Sequence, residues 1–145
     1  MATVTFLTGA VWGLAGAIAM VILMQLLGSD DPPPFAVFWA QYLGDGDPES
    51  AMPQALILHA IYAVVAGIVY VLIFSAFDLG FSITTYTGGI IWGIVWAVIL
   101  FIGAAVFWIN LVLDLDPDQD QVMTMAVAHL GYGLTLGILS AAVPL

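Results

Sequence analysis

Four long apolar stretches, separated by short polar links, organise the chain. They run Thr5–Leu27, Pro53–Phe77, Thr84–Leu113 and Gln121–Val143. Each reaches the roughly 20 residues that a membrane-spanning helix needs. In lipid every backbone polar group must be satisfied internally, so runs of this kind are expected as helices. The third is long for one span and is expected to tilt or to project past the interface. The first has no basic residue ahead of it and is too long for a cleaved leader, so it reads as a retained helix.

The links carry the breaks. Gly28-Ser29-Asp30-Asp31-Pro32-Pro33-Pro34 ends the first helix, because proline-rich polar sequence cannot continue one. Phe35 to Leu43 is apolar and aromatic but too short to span, which suits a short helix at the interface. Gly44 to Ser50 is an acidic turn, and Pro53 fits the first turn of the next helix. Asp78 to Ile83 is short and nearly uncharged. Asp114 to Asp120 is densely acidic, and Asp118 or Asp120 is placed to cap the fourth helix. Four spans put both ends of the chain on one face. Asp30, Asp31, Asp45, Asp47, Glu49, Asp114, Asp116, Asp118 and Asp120 then share the other, with Asp78 alone opposite.

The halves repeat. Gly9-Ala10-Val11-Trp12-Gly13, with Ala17, returns 80 residues later as Gly89-Ile90-Ile91-Trp92-Gly93, with Ala97. His59, Tyr62, Gly67 and Ile68 return 70 residues later as His129, Tyr132, Gly137 and Ile138. The ten-residue difference falls in the proline-rich link, where insertions are tolerated. The expectation is one all-α transmembrane domain: a four-helix bundle of two parallel two-helix repeats, 5–77 and 84–143, plus the interfacial helix. Parallel repeats relate by an axis along the membrane normal. Small residues four apart (Gly9, Gly13, Ala17; Gly89, Gly93, Ala97; Ala63, Gly67; Gly133, Gly137) mark faces for close helix approach. His59 and His129 lie on the same rows as the last two pairs and are expected to face inward.

Composition sharpens the class. The chain is 63% hydrophobic and only 7% charged, far below the roughly 25% of a soluble domain. It has ten acidic residues and no Lys or Arg. Nucleic-acid binding is therefore excluded for want of phosphate partners, and the positive-inside rule has nothing to count. An all-acidic surface suits a hypersaline milieu that screens self-repulsion, which points to a halophilic archaeal source. With no cysteine there is neither disulfide nor thiolate metal site. No G-x-S-x-G, Walker or Rossmann motif is present, and the nucleophile–base options are poor.

The histidine pair is the chief candidate site. An ionisable residue within a span is a functional candidate by default. Facing imidazoles on His59 and His129 would supply both axial ligands of a b-type haem. Gly67 and Gly137 would admit a flat macrocycle, and Tyr62 and Tyr132 would hydrogen-bond the cofactor or a ring nitrogen. Against haem stands the lack of any cation to pair with its propionates. A single metal on His59 and His129 is the alternative, though two ligands are too few for a closed zinc site. Proton or quinone roles, or plain packing, are the others. Asp114-x-Asp116-x-Asp118-x-Asp120 lacks the Gly and Glu of a calcium loop and reads as solvated charge. Trp39, Tyr42, Tyr86 and Trp108 are expected in interface belts, and no broken helix is evident.

On its missing basic residues, acidic links and two-helix duplication, the whole chain resembles the small, uncharacterised four-helix membrane proteins of haloarchaea. The His59 and His129 helices alone are similar in outline to those of membrane cytochromes b, without the second histidine pair of dihaem members. The resulting expectation is a small subunit of a cell-membrane complex, respiratory or electron-transferring, more an accessory subunit than a stand-alone enzyme. It would pack against other membrane subunits or itself. A cofactor-free scaffold and a small ion or metal transporter are the alternatives.

Overall fold

A computed structural model describes residues 6–28, 31–44, 46–76 and 81–143. All regular structure among them is helical: α1 Phe6–Leu27, α2 Pro34–Tyr42, α3 Met52–Ala76, α4 Tyr86–Ile102 and α5 Gln119–Ala142. Beyond α4 the chain continues as a π-helical segment, Gly103–Val112. Four helices are long and apolar enough to cross a membrane: α1, α3, α4 with its π segment, and α5. The protein is an all-α, multi-pass membrane bundle.

Backbone contact between small residues builds each repeat. In the first, α1 meets α3: a Cβ on Gly67 would run into the Gly9 carbonyl, and one on Gly13 would sit 2.5 Å from the Ala63 carbonyl. In the second, α4 meets α5: a Cβ on Gly89 would strike the Gly137 carbonyl, and one on Gly93 the Gly133 carbonyl. Lipid tails are as apolar as leucine, so these spans associate by close packing rather than by escape from water.

The two repeats are then joined unequally. Between α1 and α5, Gly16 makes room for Tyr132, whose ring carbon Cδ2 lies 2.7 Å from where a Gly16 Cβ would be. The Tyr132 hydroxyl reaches past α1 and donates to the Ala63 carbonyl on α3, 2.5 Å away. Between α3 and α4 the contact is made by large rings instead. Phe74 stacks on Trp92 at 4.7 Å and meets Trp96 edge-on, and Tyr70 lies against Trp96 at 6.4 Å. α5 is the least apolar span and the most enclosed, because Met125, Ala128, His129, Tyr132 and Ser140 all turn into the bundle.

The acidic end is tied together by polar bonds. Asp118 caps α5: its carboxylate accepts from the Gln121 N–H, while the Gln121 side chain accepts from the Asp118 N–H. Two hydrogen bonds are thus satisfied reciprocally, the capping-box arrangement. Asp120 sits in the first turn rather than at the cap. Gln121 also donates to Asp31, 2.7 Å away, and Thr124 donates to the Leu27 carbonyl at the end of α1. The described carboxylates all lie at this end: Asp31, Asp47, Glu49, Asp114, Asp116 and Asp118 in the links, and Asp120 in the first turn of α5. Asp30, Asp45 and Asp78 lie outside the described residues.

The third span is continuous over Tyr86–Val112, as expected, but changes hydrogen-bond register part-way. From Gly103 onward the hydrogen bonds lengthen in register, ending with the Leu113 N–H on the Trp108 carbonyl. π segments usually occur as single-turn bulges and are frequent at functional sites; this one runs for ten residues. No proline interrupts it. The small residues Gly103, Ala104 and Ala105 open the run, and a Cβ on Gly103 would meet nothing.

Candidate functional site

A histidine chamber occupies the acidic half of the bundle. The aromatic wedge of Tyr70, Phe74, Trp92 and Trp96 separates α3 from α4. Towards the acidic end the resulting gap between α3 and the π segment is not filled by either of them. α2 folds across it instead. Phe38 packs edge-on against Trp108 at 5.2 Å, and the Tyr42 hydroxyl donates to the Val112 carbonyl at 2.6 Å. What remains below is a cavity of about 290 Å³. All four spanning helices line it: α1 with Met20 and Met24, α3 with Leu58, His59 and Tyr62, the π segment with Ala104, Trp108 and Ile109, and α5 with Met125 and His129. Leu113 and the α2 residues Pro34, Phe35 and Phe38 complete the wall. Positions 104, 108, 109 and 113 recur every four or five residues, the spacing that a helix with i→i+5 bonding turns to one side.

Both histidines of the chain therefore meet one space. His59 is the eighth residue of α3 and His129 the eleventh of α5, so they lie about 10 and 15 Å along their helices from the acidic end. His129 is buried, 7% exposed. Its Nδ1 lies 2.7 Å from the Met125 carbonyl of its own helix. A carbonyl only accepts, so Nδ1 carries the proton and Nε2 presents its lone pair. His59 is held differently: its ring stacks on Phe35 at 4.8 Å and 27°. Its Nε2 is buried with no hydrogen-bond partner, a state that calls for an explanation wherever it occurs.

The remaining expected site residues separate. Tyr62 lies on the chamber wall, edge-on to Trp108 at 6.5 Å. Tyr132 faces away, locked between Gly16 and the Ala63 carbonyl. Gly67 and Gly137 are spent on the α1–α3 and α4–α5 crossings, where backbone already fills the space a side chain would take. They are not on the chamber wall. His59 shares a row with Ala63 and Gly67 only nominally. A helix turns slightly more than 360° in four residues, so over eight positions the row rotates from the α1 contact to the chamber. Trp108, expected in an interface belt, is a wall residue.

A second, wider cavity of about 710 Å³ lies between the chamber and the acidic end. Asp31, Glu49, Asp116, Gln25, Gln121 and Thr124 give it a polar, anionic lining. It shares Met24, Pro34, Phe35, Ile109 and Met125 with the chamber, so these side chains lie between the two. Nothing in the amino-acid order singles out the methionines, yet Met20, Met24, Met52 and Met125 each line at least one of these two spaces. Among the described residues no group of three or more His, Cys, Asp or Glu is placed to hold a metal. No protein-family model, curated protein or solved structure matches the chain.

Proposed function

We propose that this chain is a small multi-pass protein of the cell membrane that holds one metal centre between His59 and His129. The observation that carries the reading is that the only two imidazoles of the chain line one mostly apolar chamber, one of them with an unpartnered buried Nε2 and the other with its Nδ1 proton already committed. Donation of Nδ1–H to a carbonyl is how metal-bound imidazoles are usually oriented, with Nε2 left as the ligand. The test is metal analysis and visible spectroscopy of the full chain purified in detergent. His59→Ala and His129→Ala should each remove the bound centre; identical content in both variants and the parent ends the reading.

A b-type haem in an electron-transfer subunit is the second form of the same proposal, supported by the two histidines on the wall of one cavity. Its fit is poorer. The chamber of about 290 Å³ is at the lower limit of the roughly 300–1,000 Å³ of drug-sized ligand pockets, and haem is larger than most such ligands. Propionates leaving towards the wider cavity would meet Asp31, Glu49 and Asp116, with no Lys or Arg in the chain to pair with. A bare ion needs neither the volume nor the cations. Neighbouring membrane subunits, or a second copy of this chain, would cover the lipid-facing sides.

A further inference from the structure

We propose that the centre is a soft monovalent ion, Cu(I), bound by the imidazoles of His59 and His129 together with thioether sulfur from Met24 and Met125, with the wider acidic-lined cavity as its vestibule. The inference rests on the two-imidazole reading above and names its metal. Three observations support it. First, Met20, Met24 and Met125 converge on the chamber from two different helices, α1 and α5. Met24 and Met125 line both cavities, and Met52 lines the wider one. Thioether and imidazole together form a donor set that favours Cu(I), whereas carboxylate and water suit harder ions.

Second, every candidate ligand on the chamber wall is neutral: imidazole, thioether and the Tyr62 phenol. The cost of burying an ion rises with the square of its charge, so a divalent ion among neutral ligands costs roughly four times what a monovalent one does. That argument disfavours zinc, as does the absence, among the described residues, of a three-member His, Cys, Asp and Glu cluster. Third, the charge of the vestibule suits an arriving cation. Asp31, Glu49 and Asp116 line it and no basic residue competes with an arriving ion. The wider cavity is thus anionic and the chamber mostly apolar, with thioethers where the two adjoin.

The bland use of methionine is to fill irregular gaps in a core, and the experiment is built to separate the two. The full chain in lipid nanodiscs is titrated anaerobically with Cu(I) against a chromogenic chelator, and the bound ion is examined by X-ray absorption. One Cu(I) per chain is expected, with both sulfur and nitrogen scattering. The double variant Met24→Leu/Met125→Leu keeps the apolar volume; it should lose the sulfur scattering and weaken binding by about tenfold or more. Its helix content and melting temperature, compared with the parent, show whether the bundle survives. His59→Ala and His129→Ala should abolish tight binding. Tight binding with nitrogen scattering alone, unchanged in the leucine variant, overturns the thioether assignment. A histidine-dependent haem spectrum in the isolated protein overturns copper but keeps the two-imidazole centre. A chain that takes up neither, and is indifferent to both histidine variants, overturns both.

Discussion

The two repeats share a pattern and diverge at one decisive position. Within each repeat the helices cross backbone to backbone through matched glycines, and the two crossings are close copies. Across the repeats they differ. Gly16 of the first repeat corresponds, 80 residues on, to Trp96 of the second. Gly16 lets Tyr132 slot in and closes α1 onto α5. Trp96 fills the equivalent place, so α3 and α4 stand apart on a layer of rings. Tyr62, the counterpart of Tyr132, is left 40% exposed on the chamber wall. A duplicated hairpin with full symmetry would have no space between its second and third spans. Loss of symmetry at a single glycine leaves the cavity in which both histidines meet, and explains why α2, which only the first repeat carries, is needed to roof it.

The comparison can be broken most severely at the shared crossings. Gly67→Val and Gly137→Val each force a branched side chain into a neighbouring carbonyl. Each should destabilise by about 3 kcal/mol or more, at the upper end for overpacking, and by similar amounts in the two repeats. Unfolding in mixed detergent, monitored by circular dichroism, checks this. Unequal losses would show that the crossings are not equivalent.

The unequal joint gives the next largest effect. Tyr132→Phe removes a buried hydroxyl bonded to the Ala63 carbonyl and should cost about 1 kcal/mol. Tyr62→Phe, at the matching position of the first repeat, should stay within about 0.5 kcal/mol. The same unfolding assay distinguishes them, and equal costs would contradict the asymmetry. Trp96→Gly tests its cause. Its readout is distance rather than stability: with the indole gone, α3 should approach α4. Spin labels on those two helices would then report a shorter distance.

The smallest effect belongs to the turn that only the first repeat has. Asp47 accepts hydrogen bonds from the backbone N–H groups of Glu49 and Ser50. Hydrogen bonding around Ser50 holds its carboxyl below the ordinary value of 3.8. The lowered value means that the ionised form is favoured in the folded turn. Its contribution is therefore complete above the ordinary value and is lost as the pH falls through the lowered one. Amide exchange at Ser50 should accelerate in that acidic range, and Asp47→Asn should abolish the pH dependence. An unchanged profile in the variant would assign the effect to another group.

Much of the architecture was legible in the amino-acid order because lipid leaves so few choices. Four apolar stretches of sufficient length can satisfy their backbone only as helices, and the observed spans begin and end within a few residues of those expected. The proline-rich link, the short α2, the Asp118 cap and the glycine rows follow from equally local chemistry. The π segment did not. Gly103, Ala104 and Ala105 are compatible with an ordinary helix, and only the aromatic layer and the chamber wall reveal where the register widens. The site divided in the same way. Its two histidines were conspicuous, being the only ones and repeating. That Tyr62 lines the chamber while Tyr132 packs away from it, that Gly67 and Gly137 serve the crossings, and that four methionines line the two cavities depends on which side of each helix meets which neighbour. Apolar residues cover these helices all round, so no polar face betrays that choice along the chain. It is made only when a glycine admits a ring at one joint and a tryptophan refuses it at the other.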